Sequence, residues 1–258
     1  MELQMVNQRN ILPSIREVEP VLEAEVIESA PLEKKEKPKA FIEANTEEVT
    51  LLHLKNECII PVFRDNEKTV SHYEFVDAVN HCVMKTFPRE TVLKPEIRVS
   101  HKINGRIPSA LNKKVSELED WEKTQYWERM MFIIEVPSIR DTISGNELSL
   151  TIGGVRALNH ESLFSRKSIE KFKVFIGFQN KVCTNLLVST DGIALEIRVA
   201  SLQELVKQVY ELFGNYNMRF HLETMREFEN YSLTEHQFAQ LIGKARLYNY
   251  LPAEHKKV

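Results

Sequence analysis

The stretch "FKVFIGFQNKVCTNLLVSTDG", Phe172 to Gly192, decides how the chain is read. As a strand it places Phe172, Val174 and Ile176 on one face and Lys173, Phe175 and Gly177 on the other, because side chains alternate along a strand. Both faces carry bulk, so the expectation is a central core strand with both sides at least partly covered. Its tail is more polar. Gln179 and Asn180 carry side-chain amides at a strand end, where connecting segments hold binding groups. Cys183 lies between Val182 and Thr184 with no base beside it, the pattern of a small buried hydrophobe. Asn185 and Asp191 read as turn formers, and Asp191-Gly192 as the turn into the next strand, "IALEIRVA".

Working upstream, the pattern stays extended. "ELSLTIGGVRAL" alternates apolar and polar residues until Gly153-Gly154. A glycine pair inside a strand signals a bulge or the close approach of another backbone. "TQYWERMMFIIEVPSI" is rich in aromatic and β-branched residues and reads as a strand through Val136, with "SGN" (Ser144 to Asn146) as a turn after it. "EIRVSHKINGRIP" contains Asn104-Gly105, a two-residue hairpin signal. "CIIPVF" (Cys58 to Phe63) reads as a short buried strand with Pro61 at an edge. Between these, "SHYEFVDAVNHCVMKTF" is a helix. Ser71 and Glu74 form a capping box, Phe75, Val76, Val79, Cys82 and Val83 share one face, and Pro88 ends the run.

Downstream of the strand run the period changes to that of helices. Ser201 and Glu204 cap "LQELVKQVYELF", which stops at Gly214. "MRFHLETMREF" reads as a second helix. Ser232 and Glu235 read as the capping box of a third, "HQFAQLIGKARLYNYL", whose Phe238, Leu241, Ile242 and Ala245 line one face before Pro252. Strands first and helices last predict an α+β fold: a mainly antiparallel twisted sheet in the middle of the chain with C-terminal helices packed on it.

Composition narrows the function. Of 258 residues 43% are apolar and 28% charged, as in soluble globular proteins. No apolar run approaches the roughly 20 residues a membrane-spanning helix needs, and the N-terminus lacks a signal-peptide pattern. Three scattered cysteines without C-x-x-C spacing argue against a disulfide scaffold or zinc site, and the expected setting is the cytoplasm. Residues 1–50 hold 11 acidic and 6 basic side chains, against 26 and 28 in the rest. Residues 1–48, rich in Glu, Lys and Pro, read as an acidic arm or linker, expected to be disordered, with a docking motif around Pro20 to Ile27 as the alternative. Residues 49–258 read as a single domain, strand-rich to about residue 200 and helical from about residue 201.

No motif names a reaction. The P-loop lysine and hydroxyl are missing after Gly153-Gly154, and G-x-G-x-x-G, H-E-x-x-H and G-x-S-x-G are absent. No catalytic residue, metal or cofactor is therefore expected. Glu135, Asp141 and Glu147 are carboxylates that only tertiary structure could bring together. Basic residues cluster twice: Arg98, His101, Lys102, Arg106, Lys113 and Lys114, then Arg166, Lys167, Lys171, Lys173 and Lys181, the second interleaved with Phe164, Phe172, Phe175 and Phe178. Cations among stacking rings are how single strands are held without sequence choice. The plainer reading is a solvated lysine face over a packed sheet. "GGVR" (Gly153 to Arg156) allows a bulge or an anion contact.

The strings "PEIRVSHKINGRIPSA", "YWERMMFIIEVPSI", "LTIGGVRALN", "EKFKVFIGFQNKVCTN" and "LTEHQFAQLIGKARLYNYLP" together resemble an uncharacterised Bacteroidetes protein family, a domain of unknown function, from about Cys58 to Pro252. The order of glycine-rich strand, "VCTN" and Asp-Gly more distantly resembles phage- and plasmid-borne proteins of unknown function. The resemblance implies a mobile-element setting and a segment continuing beyond "LPAEHKKV"; it supplies no catalytic residues.

The expected function is non-catalytic binding of single-stranded nucleic acid. Its expected contacts are Arg98, Lys102, Arg106, Arg156, Lys171, Lys173, Phe175, Phe178, Gln179, Asn180 and Lys181. One alternative is a protein-interaction or assembly module, with a protein partner or a homo-oligomer. Another is an enzyme acting on nucleotides through Cys183 or the acidic residues.

Overall fold

The computed structural model describes residues 4–5, 40–42, 44–60, 69–161, 169–180, 187–248 and 250–251. In chain order the elements are β1 (Gln4–Met5), β2 (Glu47–Val49), α1 (Leu51–Asn56), α2 (His72–Thr86), β3 (Glu96–Arg106), β4 (Lys123–Ile143), β5 (Asn146–Ala157), β6 (Glu170–Asn180), β7 (Leu187–Val199), α3 (Leu202–Asn215), α4 (Met218–Glu227), β8 (Tyr231–Ser232) and α5 (Glu235–Tyr248). The protein is α+β, as its pattern predicts. Two compact units form. One is Lys39–His221; the other joins Met1–Pro38 to Leu222–Val258.

The larger unit is built on a six-stranded sheet ordered β2-β3-β4-β5-β6-β7, every pair antiparallel. Neighbours in sequence are neighbours in space, the arrangement short connections favour. One face of the sheet is covered by α2. Its Phe75 ring meets Phe132 edge-on at 5.2 Å and Phe172 at 4.6 Å. Phe132, Gly154, Val174 and Ala194 occupy one row across β4 to β7, so this helix-covered face carries Ile97, Val99, Met130, Leu150, Ile152, Ile176 and Phe178 as well. Phe132, Val174 and the seven residues from Ile97 to Phe178 just named are all buried. Helix α3 packs on β6, β7 and α2 with Leu205, Val209 and Phe213 inward.

Several local expectations hold, for the reasons the sequence carries. Ser71 accepts from the Glu74 amide while the Glu74 carboxylate accepts from the Ser71 amide, a reciprocal cap that starts α2. Phe75, Val76, Val79, Cys82 and Val83 are all buried. Ser144 and Gly145 have φ of 50° and 76°, the left-handed conformation of a two-residue hairpin loop between β4 and β5.

Others are corrected. Asn104-Gly105 is not a turn: it lies inside β3, opposite Gln125 and Thr124. The long β4 offers those positions a partner strand, and the Thr124 hydroxyl lies 2.8 Å from where a Gly105 Cβ would sit. Strand β4 does not end at Val136 but runs on to Ile143, with a register shift between Val136 and Arg140 that accommodates Pro137. Asp191-Gly192 is likewise within a strand, Gly192 pairing with Ile176; the connection between β6 and β7 lies outside the described residues. Gly153-Gly154 makes no bulge. Both pair in regular register with Ile133 and Phe132, and what comes close is the Phe132 carbonyl, 2.7 Å from where a Gly153 Cβ would sit, together with aromatic rings: Phe175 over Gly153, Phe75 and Phe132 over Gly154. Cys58–Ile60 forms no strand, although the Ile59 amide donates to the Gln125 carbonyl at 2.8 Å; Pro61–Phe63 are outside the described residues. Glu47–Val49, at the end of the expected arm, pairs with Ile97–Val99 as an edge strand.

In the smaller unit β1 pairs with β8. Helix α5 is capped two residues later than expected. Thr234 accepts from the Gln237 amide at 3.3 Å and Gln237 from the Thr234 amide at 3.0 Å, while Ser232 sits in β8. The same reciprocal chemistry is available at both positions, and strand pairing has claimed the first.

Candidate nucleic-acid interface

Strand alternation sorts the eleven expected contact residues onto two faces. Arg98, Lys102, Arg106, Lys171, Lys173, Phe175 and Gln179 lie on the face opposite α2, called here the open face. Arg156, Phe178 and Asn180 lie on the helix-covered face, and Lys181 lies outside the described residues. Register makes the open face a grid. Arg98, Met131, Val155 and Lys173 form one row across β3 to β6, spanning three strand spacings or about 14 Å. The next row toward one end holds Ser100, Arg129 and Ala157, and the one beyond it Lys102 and Trp127. Toward the other end come Glu96, Ile133, Gly153 and Phe175, then Glu135, Thr151 and Gly177. Here Ile133, Gly153, Thr151 and Gly177 are buried, so the cationic rows are the more exposed.

Cations are more numerous at one end of this face, and Glu96, Glu135 and Glu147 lie toward the other together with the exposed Arg140, which shares a row with Ser149 and Gln179. The cations differ in how free they are. Arg98 donates to the Thr46 hydroxyl and carbonyl, both at 2.9 Å, and has Glu48 at 3.9 Å. Arg106 donates to the Lys113 carbonyl. Lys171 is 3.3 Å from Glu196, which also holds Arg198 at 2.8 Å. Two bases keep the Glu196 carboxyl below its usual range, chiefly through the Arg198 and then the Lys171 hydrogen bond. Lys102 stands 5.5 Å from the centre of the Trp127 ring. Arg129 and Lys173 are exposed and form no ion pair among the described residues.

Phe175 is half-buried, and Gly153 explains its pose. The Phe175 ring reaches across to β5 and fills the space a Cβ at Gly153 would take, so it lies along the sheet instead of standing off it. Gln179 accepts from the Thr151 hydroxyl at 3.2 Å and is committed to the sheet surface.

Three expected contacts are corrected or qualified by burial. Arg156 is 0% exposed and Phe178 is 1% exposed. The Arg156 guanidinium donates to Glu161 through Nε at 3.0 Å and Nη2 at 3.1 Å, approaches Glu170 at 3.8 Å and donates through Nη1 to the Val70 carbonyl. Its face lies 4.6 Å from the Phe172 centroid. It is a buried counter-ion joining β5, the start of β6 and the entry to α2, so "GGVR" is no anion loop. Phe178 packs 6.0 Å from His221. Asn180 is half-buried on the helix-covered side, away from the cations.

The sequence reading missed Arg129 and Met131, although "YWERMMF" carries the signal. Exposed Arg129 and half-buried Met131 alternate with the buried Met130 and Phe132, while Trp127, on the same face as Arg129, is itself buried. Trp121 is 69% exposed, but Glu119, Asp120 and Glu122 surround it in sequence, which disfavours a phosphate neighbour. Among the described residues no three His, Cys, Asp or Glu side chains come together as a metal site. Cys183 lies outside the described residues; Cys58 and Cys82 are buried, and burial pushes the Cys82 thiol up to about 11. No helix of the described residues is long and apolar enough to cross a membrane.

A family described as "Domain of unknown function, B. Theta Gene description (DUF3871)" matches residues 21–258, and the chain belongs to that family. No curated protein and no solved structure matches it.

Proposed function

We propose that this member of the family binds single-stranded nucleic acid on the open face of its six-stranded sheet, with no chemistry at that face. One observation carries the reading. Strand register places Lys102, Arg129 and Lys173 around half-buried Met131, Val155 and Phe175, and none of the three cations has a carboxylate partner among the described residues. Phosphates are drawn by such cations, and bases stack on sequence-tolerant aromatic faces. The face has few cations, which suits a single strand with its lower charge density better than a duplex.

The test is fluorescence anisotropy of labelled single-stranded oligonucleotides across a salt series. Three engaged cations give a slope of log K against log salt of about −2 for a single strand. Lys173→Glu with Arg129→Glu should abolish binding at low salt, while Lys85→Glu on α2 leaves it unchanged. Absence of binding by the parent protein at low salt, or undiminished binding by the double variant, would exclude the reading.

A second reading, a protein-docking module, is favoured by α5. Its Phe238, Leu241 and Ile242 form an apolar stripe that remains exposed. Light scattering on the parent and on Phe238→Ser with Leu241→Ser separates the two readings. Self-association lost in that variant supports docking and leaves the open face intact.

A further inference from the structure

Outside the open face, the structure assembles three polar side chains that no motif announced. Ser189 Oγ lies 3.0 Å from His221 Nε2, and Tyr216 Oη lies 2.6 Å from His221 Nδ1. The imidazole is buried, packed 5.7 Å from the Tyr216 ring and 6.0 Å from Phe178, while Ser189 is half-buried on the edge strand β7. A hydroxyl on one imidazole nitrogen and an orienting group on the other is the arrangement that activates a serine for acyl transfer.

A backbone irregularity aims the serine. Ile176 pairs with Gly192 and Phe178 with Ser189, so β7 has one residue more than β6 across this interval. Without that extra residue Ser189 would fall on the opposite face from Gly192 and away from His221. The bulge is held by Thr190, whose hydroxyl donates to the Ile176 carbonyl and accepts from the Gly192 amide at 2.8 Å. Gly177 makes room, since a Cβ there would collide with the Ser189 carbonyl and lie 2.6 Å from the Thr190 Cβ. Bulges that re-aim one side chain are common beside active sites.

We propose that Ser189 and His221 form a catalytic pair for acyl transfer from small uncharged esters, with Tyr216 as the residue that positions the imidazole. Among the described residues, Phe178, Tyr216 and Thr190 beside the pair carry no charge to recognise an ionised substrate. Ser189 Oγ attacks the ester carbonyl and its proton passes to His221 Nε2. The carbon–oxygen bond of the ester then breaks, and the alcohol leaves with that proton. Water repeats the sequence on the acyl-serine, releasing the acid and restoring both groups. The reacting tautomer carries its proton on Nδ1, donated to the Tyr216 oxygen, so that Nε2 accepts from Ser189.

The experiment treats the full chain with a fluorophosphonate and locates the adduct by peptide mass spectrometry, with p-nitrophenyl acetate as a turnover probe. The expected result is a phosphonyl adduct on Ser189 and release of p-nitrophenolate. His221→Asn should slow both by about 100-fold, the lower range of general-base catalysis. Tyr216→Phe should slow them less and move the His221 ring nitrogen resonances. Ser189→Ala should remove the adduct; because the parent's adduct needs no variant, misfolding of Ser189→Ala leaves the test intact. No adduct on Ser189 in the parent, or ring nitrogen resonances showing the proton on Nε2, would overturn the proposal.

Discussion

Replacing Arg156 by Met tests the buried ionic knot that displaced this residue from the interface. Met keeps much of the length and the packing on Phe172 but removes the charge. It leaves Glu161 and Glu170, both almost fully buried, facing each other without their shared cation. The Val70 carbonyl also loses a donor, while the Val70 amide still donates to both Glu170 oxygens at 3.1 Å. Breaking a buried pair by removing one partner costs about 3–5 kcal/mol. With a urea slope of about 2 kcal/mol/M, the midpoint falls by roughly 2 M. Urea unfolding followed by far-UV circular dichroism measures it. The same physics requires that Arg156→Met with Glu161→Gln and Glu170→Gln recover much of the loss, because replacing the whole cluster removes the stranded charges. A single variant within about 1 kcal/mol of the parent, or a triple variant no better than the single, would refute the account.

His72 predicts a pH dependence. Its Nε2 donates to the Trp127 carbonyl at 2.8 Å, and Nδ1 has no partner among the described residues. Burial, helped by the Arg156 charge and opposed by the Trp127 hydrogen bond, lowers its pKa to about 3. The unfolded chain therefore binds a proton near 6.5 that the folded chain refuses, so this group's stability contribution is full at neutral pH and is lost as pH falls from 6.5 toward 3. The loss amounts to about 2 kcal/mol at roughly pH 5, and His72→Phe should flatten that part of the urea-midpoint profile. Gly154→Ala places a Cβ 2.6 Å from Phe75 Cζ and 2.7 Å from Phe132 Cε1. Both rings are wholly buried and cannot swing away, so calorimetry should show a loss of about 1–3 kcal/mol. Ser71→Ala removes the side chain that starts α2 and should cost about 1 kcal/mol in the same assay, with binding at the open face unchanged.

How much was legible from residues alone follows from the range of the forces concerned. The α2 cap, its apolar stripe and the Ser144-Gly145 turn depend on groups within a few positions of each other, and they stand where the pattern puts them. Asn104-Gly105 and Asp191-Gly192 carry equally local turn signals, yet both lie inside strands because a partner strand supplies the backbone bonds. The same holds for the candidate sites. Alternation along β6 separates Lys173 and Phe175 from Phe178, and that much is local. Which cations stay exposed depends on where α2 and the other covering segments land, and Arg156 is buried where Glu161 and Glu170 meet it. The meeting of Ser189 with His221 rests on one extra residue in β7, set by register between strands and by no local preference. Sequence by itself determined the alternation, the caps and the α+β order, since these arise from neighbouring backbone geometry. Only tertiary structure decided which cations stay in water and which hydroxyl meets an imidazole, because burial and pairing belong to residues far apart in the chain.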